Sequence, residues 1–230
     1  MKNGTLYSPK LTSLVGTIRQ EHQQEPPPRR DPISQVIFGF LQWNAQRRSA
    51  ETAWNRIGRE TVDHNELRVS RVPEIVTLLG ANYPQAAERA TRLREVLQEI
   101  FVIERALSLA SLTHTSKKEV RAYLDSLPGM TPYVAAFVTL VSFEGHAMPV
   151  DDRLADLLRH HEVVDPEADL PQLVAFLERH IRAEHALATH AAIQAWVDAG
   201  SRRTRLRRAA GHGGAAAKTK KKVIRKKAST

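Results

Sequence analysis

The sequence predicts an all-helical fold, and three observations carry that expectation. Apolar residues recur at helical spacing in one segment after another, as in Ile33, Val36, Ile37, Phe40 and Leu41. Helix-start signals precede several of these segments: Asp31-Pro32, Ser116 with Glu119 three residues on, and Thr131-Pro132. No alternating apolar pattern is long enough to make a strand.

Taken in order, residues 1–30 mix polar residues with the run Pro26 to Arg30 and read as a flexible, extended lead-in. Asp31 caps a helix with Pro32 at its first position, where no N–H is needed. A second helix runs from Ser49 to Ile57 with Trp54 and Ile57 inward. A short one runs from Pro73 to Leu79 and stops at Gly80. From Pro84 to about Leu109 a long amphipathic helix carries Ala86, Ala90, Leu93, Leu97, Ile100 and Phe101 on its apolar side. Its Arg89, Arg92, Arg94 and Arg105 alternate with Glu88, Glu95, Glu99 and Glu104, which reads as a solvated, ion-paired face.

Ser116 to Leu127 forms the next helix, and Pro128-Gly129 breaks it, because glycine accepts a positive φ at no steric cost. Thr131 caps the following helix, whose Val134, Phe137, Val138 and Val141 face a core. After Asp151 a helix runs to about His161, a loop spans 165–172, and helices over Leu173 to Ile181 and Glu184 to Val197 complete the body. His180, His185 and His190 are spaced by five, about 140° apart around a helix, so they share no face. They read as solvent or cap histidines, and no metal site is expected.

Composition narrows the function. With no cysteine in 230 residues, disulfide frameworks, zinc-thiolate sites and cysteine-held iron–sulfur clusters are excluded. No apolar run reaches membrane-spanning length, and the first residues lack the apolar region of a signal peptide, so an intracellular protein without membrane contact is expected. The net charge of +9 is unevenly placed: 12 of the 34 Lys and Arg fall in residues 201–230, which hold no acid, leaving 22 basic against 25 acidic residues before them. That segment has two clusters, one with Arg202, Arg203 and Arg205 and one with Lys220, Lys221 and Lys222, around a Gly/Ala spacer. It reads as a disordered arm that binds phosphates without reading bases. DNA, RNA, ribosomes and anionic membranes would all satisfy that chemistry.

The break at residues 127–132 leaves backbone N–H groups beside a helix start, a ready phosphate site formed by Leu127, Gly129, Met130 and Thr131. LPGMTPYVAAF followed by MPVDDRLADLL resembles the helix-hairpin-helix and the following Asp segment of the endonuclease III family of DNA glycosylases. Leu127, Pro128, Gly129, Met130 and Ala135 fit the family pattern, and Val150-Asp151 falls at the family's distance. Thr131 replaces the second hairpin glycine, and Pro132 replaces a basic residue. The resemblance covers residues 31–200 and is specific only over 127–152.

It implies a two-lobed helical glycosylase fold over 31–200, no cofactor, and double-stranded DNA as partner of a monomeric, nucleoid-associated protein. Asp151 takes the position of the family's catalytic carboxylate. Tyr133 takes that of the Schiff-base lysine, so it lines the base pocket while the lyase step is lost. Asn44 takes the place of a Gln that reaches into the duplex, and Trp43 beside it can wedge or stack on a base. Gly39 stands where the adenine-removing branch has a catalytic Glu. The implied activity is monofunctional hydrolysis of the glycosidic bond of a damaged or mismatched base. The alternative is an inactive DNA-binding protein anchored by its basic arm, with Asp151 a plain helix cap, Trp43 core and Asn44 a helix C-cap.

Overall fold

A computed structural model describes residues 4–80 and 82–200, and among these residues every regular element is helical. The helices are α1 (Gly4–Glu21), α2 (Pro32–Gln42), α3 (Arg47–Glu60), α4 (His64–Val69), α5 (Val72–Leu79) and α6 (Ala86–Glu104). A 3-10 turn over Ala110–His114 leads to α7 (Lys117–Ser126), α8 (Pro132–Ser142), α9 (Asp152–His160), α10 (Leu170–His180) and α11 (183–200). The basic arm, with Arg202, Arg203, Arg205, Lys220, Lys221 and Lys222, lies outside the described residues.

The caps follow the expected chemistry. Asp31, Thr131 and Asp169 each accept a backbone N–H of the first turn, with Pro at the start of all three helices. Ser116 and Glu119 form a reciprocal capping box on α7. α2 is the centre of the body: every residue from Ile33 to Gln42 is buried. Each large apolar side chain so buried contributes roughly 1.5–3 kcal/mol. α2 packs on α3 and α8, α6 packs on α4 and α5, and α1 packs on α10. Gly39 sets the closeness of α2 to α8, since a Cβ there would lie 3.0 Å from the Phe137 ring and 3.2 Å from Val134.

Three expectations need correction. The lead-in is not extended throughout, because Gly4–Glu21 is a helix with Leu11 and Ile18 buried; the spacing of seven puts both on one face, and it docks on α10. The long helix is shorter than expected, bounded by Gln85 and Arg105 in left-handed conformation, φ 52° and 57°. Arg89 does not belong to the solvated face: it is 0% exposed. Arg92, in contrast, pairs with Glu88 at 2.9 Å as the charge pattern predicts.

Candidate active site

The hairpin joins α7 to α8. Gly129 takes φ +82°, and the Met130 N–H donates to the Leu127 carbonyl at 3.0 Å. The Thr131 hydroxyl accepts the Val134 N–H at 3.2 Å, while no acceptor among the described residues takes the amides of Gly129 and Thr131. Leu127 and Met130 do not offer the donors expected of them, because their N–H groups are taken by the Leu124 and Leu127 carbonyls. That leaves the amides of Gly129 and Thr131, next to the helix N-terminus, as the groups able to meet a phosphate. The hairpin rests on α6 so closely that a Cβ on Gly129 would lie 2.9 Å from the Arg92 carbonyl and 2.8 Å from Glu95 Oε2. An acid therefore stands beside the proposed phosphate grip, and no spacing in the sequence signals it.

Asp151 sits at the N-terminus of α9, where its Oδ1 accepts the Leu154 N–H at 2.9 Å. Its Oδ2 accepts the Asn44 N–H at 3.1 Å. The carboxyl is 1% exposed. Burial pushes its pKa above the ordinary carboxylate value, against the opposing pull of the Leu154 amide, Arg153 and the Asn44 amide. Asp151 thus caps the helix, and its charge is held one layer beneath the surface.

Asn44 is the layer above it. It holds φ +51°, just past the end of α2, where a left-handed residue closes a helix. Its side chain donates to Asp152 Oδ2 at 2.8 Å and accepts the Asp152 N–H at 3.1 Å. The flanking backbone is pinned as well. Arg89 donates to the Trp43 carbonyl at 2.6 Å, Arg153 donates to the Ala45 carbonyl, and Asp198 accepts the Arg47 N–H at 3.0 Å. Asp198 and Arg153 pair at 2.6 Å. One loop is therefore fixed by charged side chains from α6, α9 and α11. Trp43 is half-buried, with the guanidinium groups of Arg89 and Arg92 at 5.5 and 5.9 Å from its ring. Asn44 also lines, with Ser49, Asn82 and Arg153, a surface cavity of about 490 Å³.

Tyr133 is 2% exposed, stacked on Phe137 at 6.3 Å, with its hydroxyl 3.3 Å from Gln194 Nε2. Burial and the Asp151 carboxylate both drive its pKa well above the ordinary tyrosine value, so it stays a neutral phenol. Arg89 feels Tyr133 and Asp151 electrostatically, although burial lowers its own pKa to about 10. The structure brings Asp151, Tyr133 and the Trp43–Asn44 loop into one neighbourhood. Lys117 and Lys118 line a different cavity, with Arg121, Thr139 and His146.

His180 ends α10 while His185 and His190 lie on α11, so spacing around one helix does not relate all three, and the expectation of solvent or cap positions fails for one of them. His180 hydrogen-bonds Ser8 and the Phe176 carbonyl, and His185 stands beside Glu184. His190 is neither solvated nor a cap: it is 1% exposed in the core, 5.6 Å from the Phe137 ring.

No protein-family model matches the sequence, and no curated protein matches it. Solved structures do. A trapped endonuclease III–DNA covalent intermediate superposes with a TM-score of 0.62 at 14% identity, covering 84% of this chain and 85% of that one. A thermostable thymine-DNA glycosylase gives 0.60 at 14% identity, covering 84% and 87%. The H. pylori 3-methyladenine DNA glycosylase bound to 1,N6-ethenoadenine gives 0.61 at 14% identity, covering 82% and 96%. These structural neighbours are DNA glycosylases, and the all-helical architecture expected from the sequence is theirs. The chain has the fold of the helix-hairpin-helix DNA glycosylases.

Proposed function

We propose that this chain is a monofunctional DNA N-glycosylase that grips double-stranded DNA through residues 127–131 and hydrolyses the glycosidic bond of a damaged or mismatched base. The observation that carries this reading is the desolvated carboxylate of Asp151 at the start of α9, beside the neutral phenol of Tyr133 and beneath the Asn44 loop. In a site of low polarity a fixed negative charge stabilises an oxocarbenium-like sugar far more than it would in water. The C1′–N bond breaks and the base leaves with the bonding electrons. A water oxygen then bonds to C1′ and Asp151 accepts the water's proton. Tyr133 offers no amine for a Schiff base, which supports hydrolysis without strand cleavage. For a sugar to reach Asp151, Asn44 has to turn away from it, and the opened duplex supplies the interactions that replace those Asn44 gives up. Arg202, Arg203, Arg205 and Lys220 to Lys222 add salt-sensitive phosphate binding.

A second reading, a DNA-binding protein without catalysis, is favoured by one observation: both oxygens of Asp151 are occupied by backbone amides and the group is covered. The two readings separate in one assay. Duplexes carrying uracil, thymine glycol, a G·T mismatch or 8-oxoguanine are incubated with the protein, and abasic sites are revealed by hot alkali. Base release that needs alkali to break the strand supports the glycosylase. Binding across the panel with no base released supports the second reading.

A further inference from the structure

A cavity of about 290 Å³ lies between α1 and the corner where α10 gives way to α11. That is close to the lower end of small-ligand pockets, roughly 300–1,000 Å³. It shares no lining residue with the cavity beside Asn44. Ser8 hydrogen-bonds His180 at the end of α10, so the residues that follow on α1 lie against that corner. Positions 12, 15, 16 and 19 fall on one face of α1, and Val15, Gly16 and Arg19 line the cavity from it. Arg182, His185 and Thr189, spaced by three and four, line it from the other side, with buried Leu11 and Ile181 adding apolar surface. No carboxylate lines the cavity. Glu184 stands 3.7 Å from Arg182 and 3.5 Å from His185, long contacts between well-exposed side chains that neutralise little charge. The first turn of α11 stands beside these groups, and no acceptor among the described residues takes the amides of residues 183 and 184. An independent sign comes from Thr189. It is 0% exposed and lines the cavity, yet its hydroxyl has no hydrogen-bond partner. Nearly all buried polar side-chain atoms in folded proteins are partnered, so a bare hydroxyl at a cavity wall marks a place where a ligand supplies the partner.

We infer that this cavity binds a small amphipathic acid, with a carboxylate or phosphate monoester at one end, a compact apolar body, and an oxygen substituent at the other end. The acid group meets the Arg182 guanidinium and the free amides at the start of α11, where the helix dipole also favours negative charge. Seven residues separate Arg182 from Thr189, roughly 10 Å along a helix, so one acid group does not reach both. The Thr189 hydroxyl therefore takes the far oxygen, and the body lies on Leu11, Val15 and Ile181. Thr12 and His180 also line the cavity but are already engaged, Thr12 by the Ser8 carbonyl and His180 by Ser8 and the Phe176 carbonyl. Gly16 keeps the space open: a Cβ there would meet nothing within 4 Å. Glycine inside a helix is otherwise unfavourable, so its presence in α1 fits a space kept for a ligand.

The test is titration of the full chain, labelled with nitrogen-15 and held at constant ionic strength, while its amide NMR signals are followed. The probes are 4-hydroxyphenylacetate and 4-nitrophenyl phosphate, which separate a carboxylate from a phosphate ligand, with neutral 4-hydroxyphenylacetamide and inorganic phosphate for comparison. At least one of the two acids is expected to shift the amides of residues 11–19 and 181–189 saturably, about tenfold or more tightly than the neutral amide or inorganic phosphate. Gly16→Leu is expected to fill the cavity and abolish these shifts without lowering the unfolding temperature. Thr189→Val, which keeps the shape and removes the hydroxyl, is expected to weaken binding about threefold or more, and Thr189→Ser to keep it. Shifts scattered over the whole surface or confined to residues 127–131 overturn the inference, as does saturable binding untouched by both Gly16→Leu and Thr189→Val. Equal binding of the neutral amide refutes the anion assignment. Duplex DNA shifting the same amides while neither acid does so gives these cations to the DNA backbone instead.

Discussion

The Asn44 N–H donates to Asp151 Oδ2 at 3.1 Å, across 107 residues of chain, and this bond joins the end of α2 to the start of α9. It makes the loop that covers the carboxylate and the carboxylate itself one structural unit. Asn44 holds this position at φ +51°, a conformation that costs most side chains energy and glycine almost none. Asn44→Ala removes both hydrogen bonds to Asp152 and keeps the strain, so it is expected to destabilise the chain by about 1–3 kcal/mol. Asn44→Gly relieves the strain and is expected to cost less. Urea denaturation of both variants ranks them; an alanine variant at least as stable as the glycine one would refute the strained-loop description.

Glu95 stands where a phosphate on the hairpin would feel it, with Oε2 2.8 Å from the site of a Cβ on Gly129. Glu95→Gln removes a repulsion and is expected to raise affinity for undamaged duplex severalfold at low salt. The gain should shrink as salt rises. An affinity that does not change at low salt places the duplex away from residues 127–131.

The basic arm is expected to add affinity without selectivity, because Lys and Arg that meet phosphates carry no base readout. Deleting residues 201–230 is expected to flatten the dependence of binding on salt, by close to one unit of log–log slope for each phosphate the arm neutralises. Titrations at several salt concentrations measure that slope directly. An unchanged slope means that the arm's Lys and Arg do not touch DNA.

His190 links stability to acid. Its folded pKa of about 3 lies below the ordinary 6.5, so the unfolded chain binds the extra proton between those values. The neutral buried ring is fully compatible with folding above pH 6.5, and stability is lost as pH falls towards 3, by up to about 1.4 kcal/mol per pH unit. Between pH 6.5 and 5 the chain is expected to lose roughly 2 kcal/mol more than His190→Phe does. Denaturation midpoints of the two proteins at both pH values give that difference, and parallel losses would place His190 in water.

Much of this was legible in the sequence because it is local. Caps, the capping box and the Pro-Gly break depend on residues a few positions apart, and Asp31, Ser116, Thr131 and Gly129 all behave as their neighbours dictate. The polar residues of the interior were harder to place. Arg89 reads as one more charge in a mixed helix, yet it lies three residues after Ala86 and four before Leu93, on the apolar face. His190 likewise falls four after Ala186 and three before Ile193. Helical spacing places both inward, and the charge pattern drew attention away from it. What holds them there, the Trp43 carbonyl for Arg89 and the Phe137 ring for His190, comes from elements 46 and 53 residues away, and no local pattern encodes it. The cover over Asp151 is of the same kind, since it needs Asn44 and Asp151 to meet across most of the fold.

The most direct measurement compares the chain and Asp151→Asn on a lesion-containing duplex under single-turnover conditions, counting abasic sites before and after alkali. The intact chain is expected to release a base and leave the strand whole until alkali is added, and the variant to bind the same duplex with base release slowed by about 100-fold or more. Equal rates of release from the two proteins, or none from either across every lesion, would contradict a role for the Asp151 carboxylate in excision.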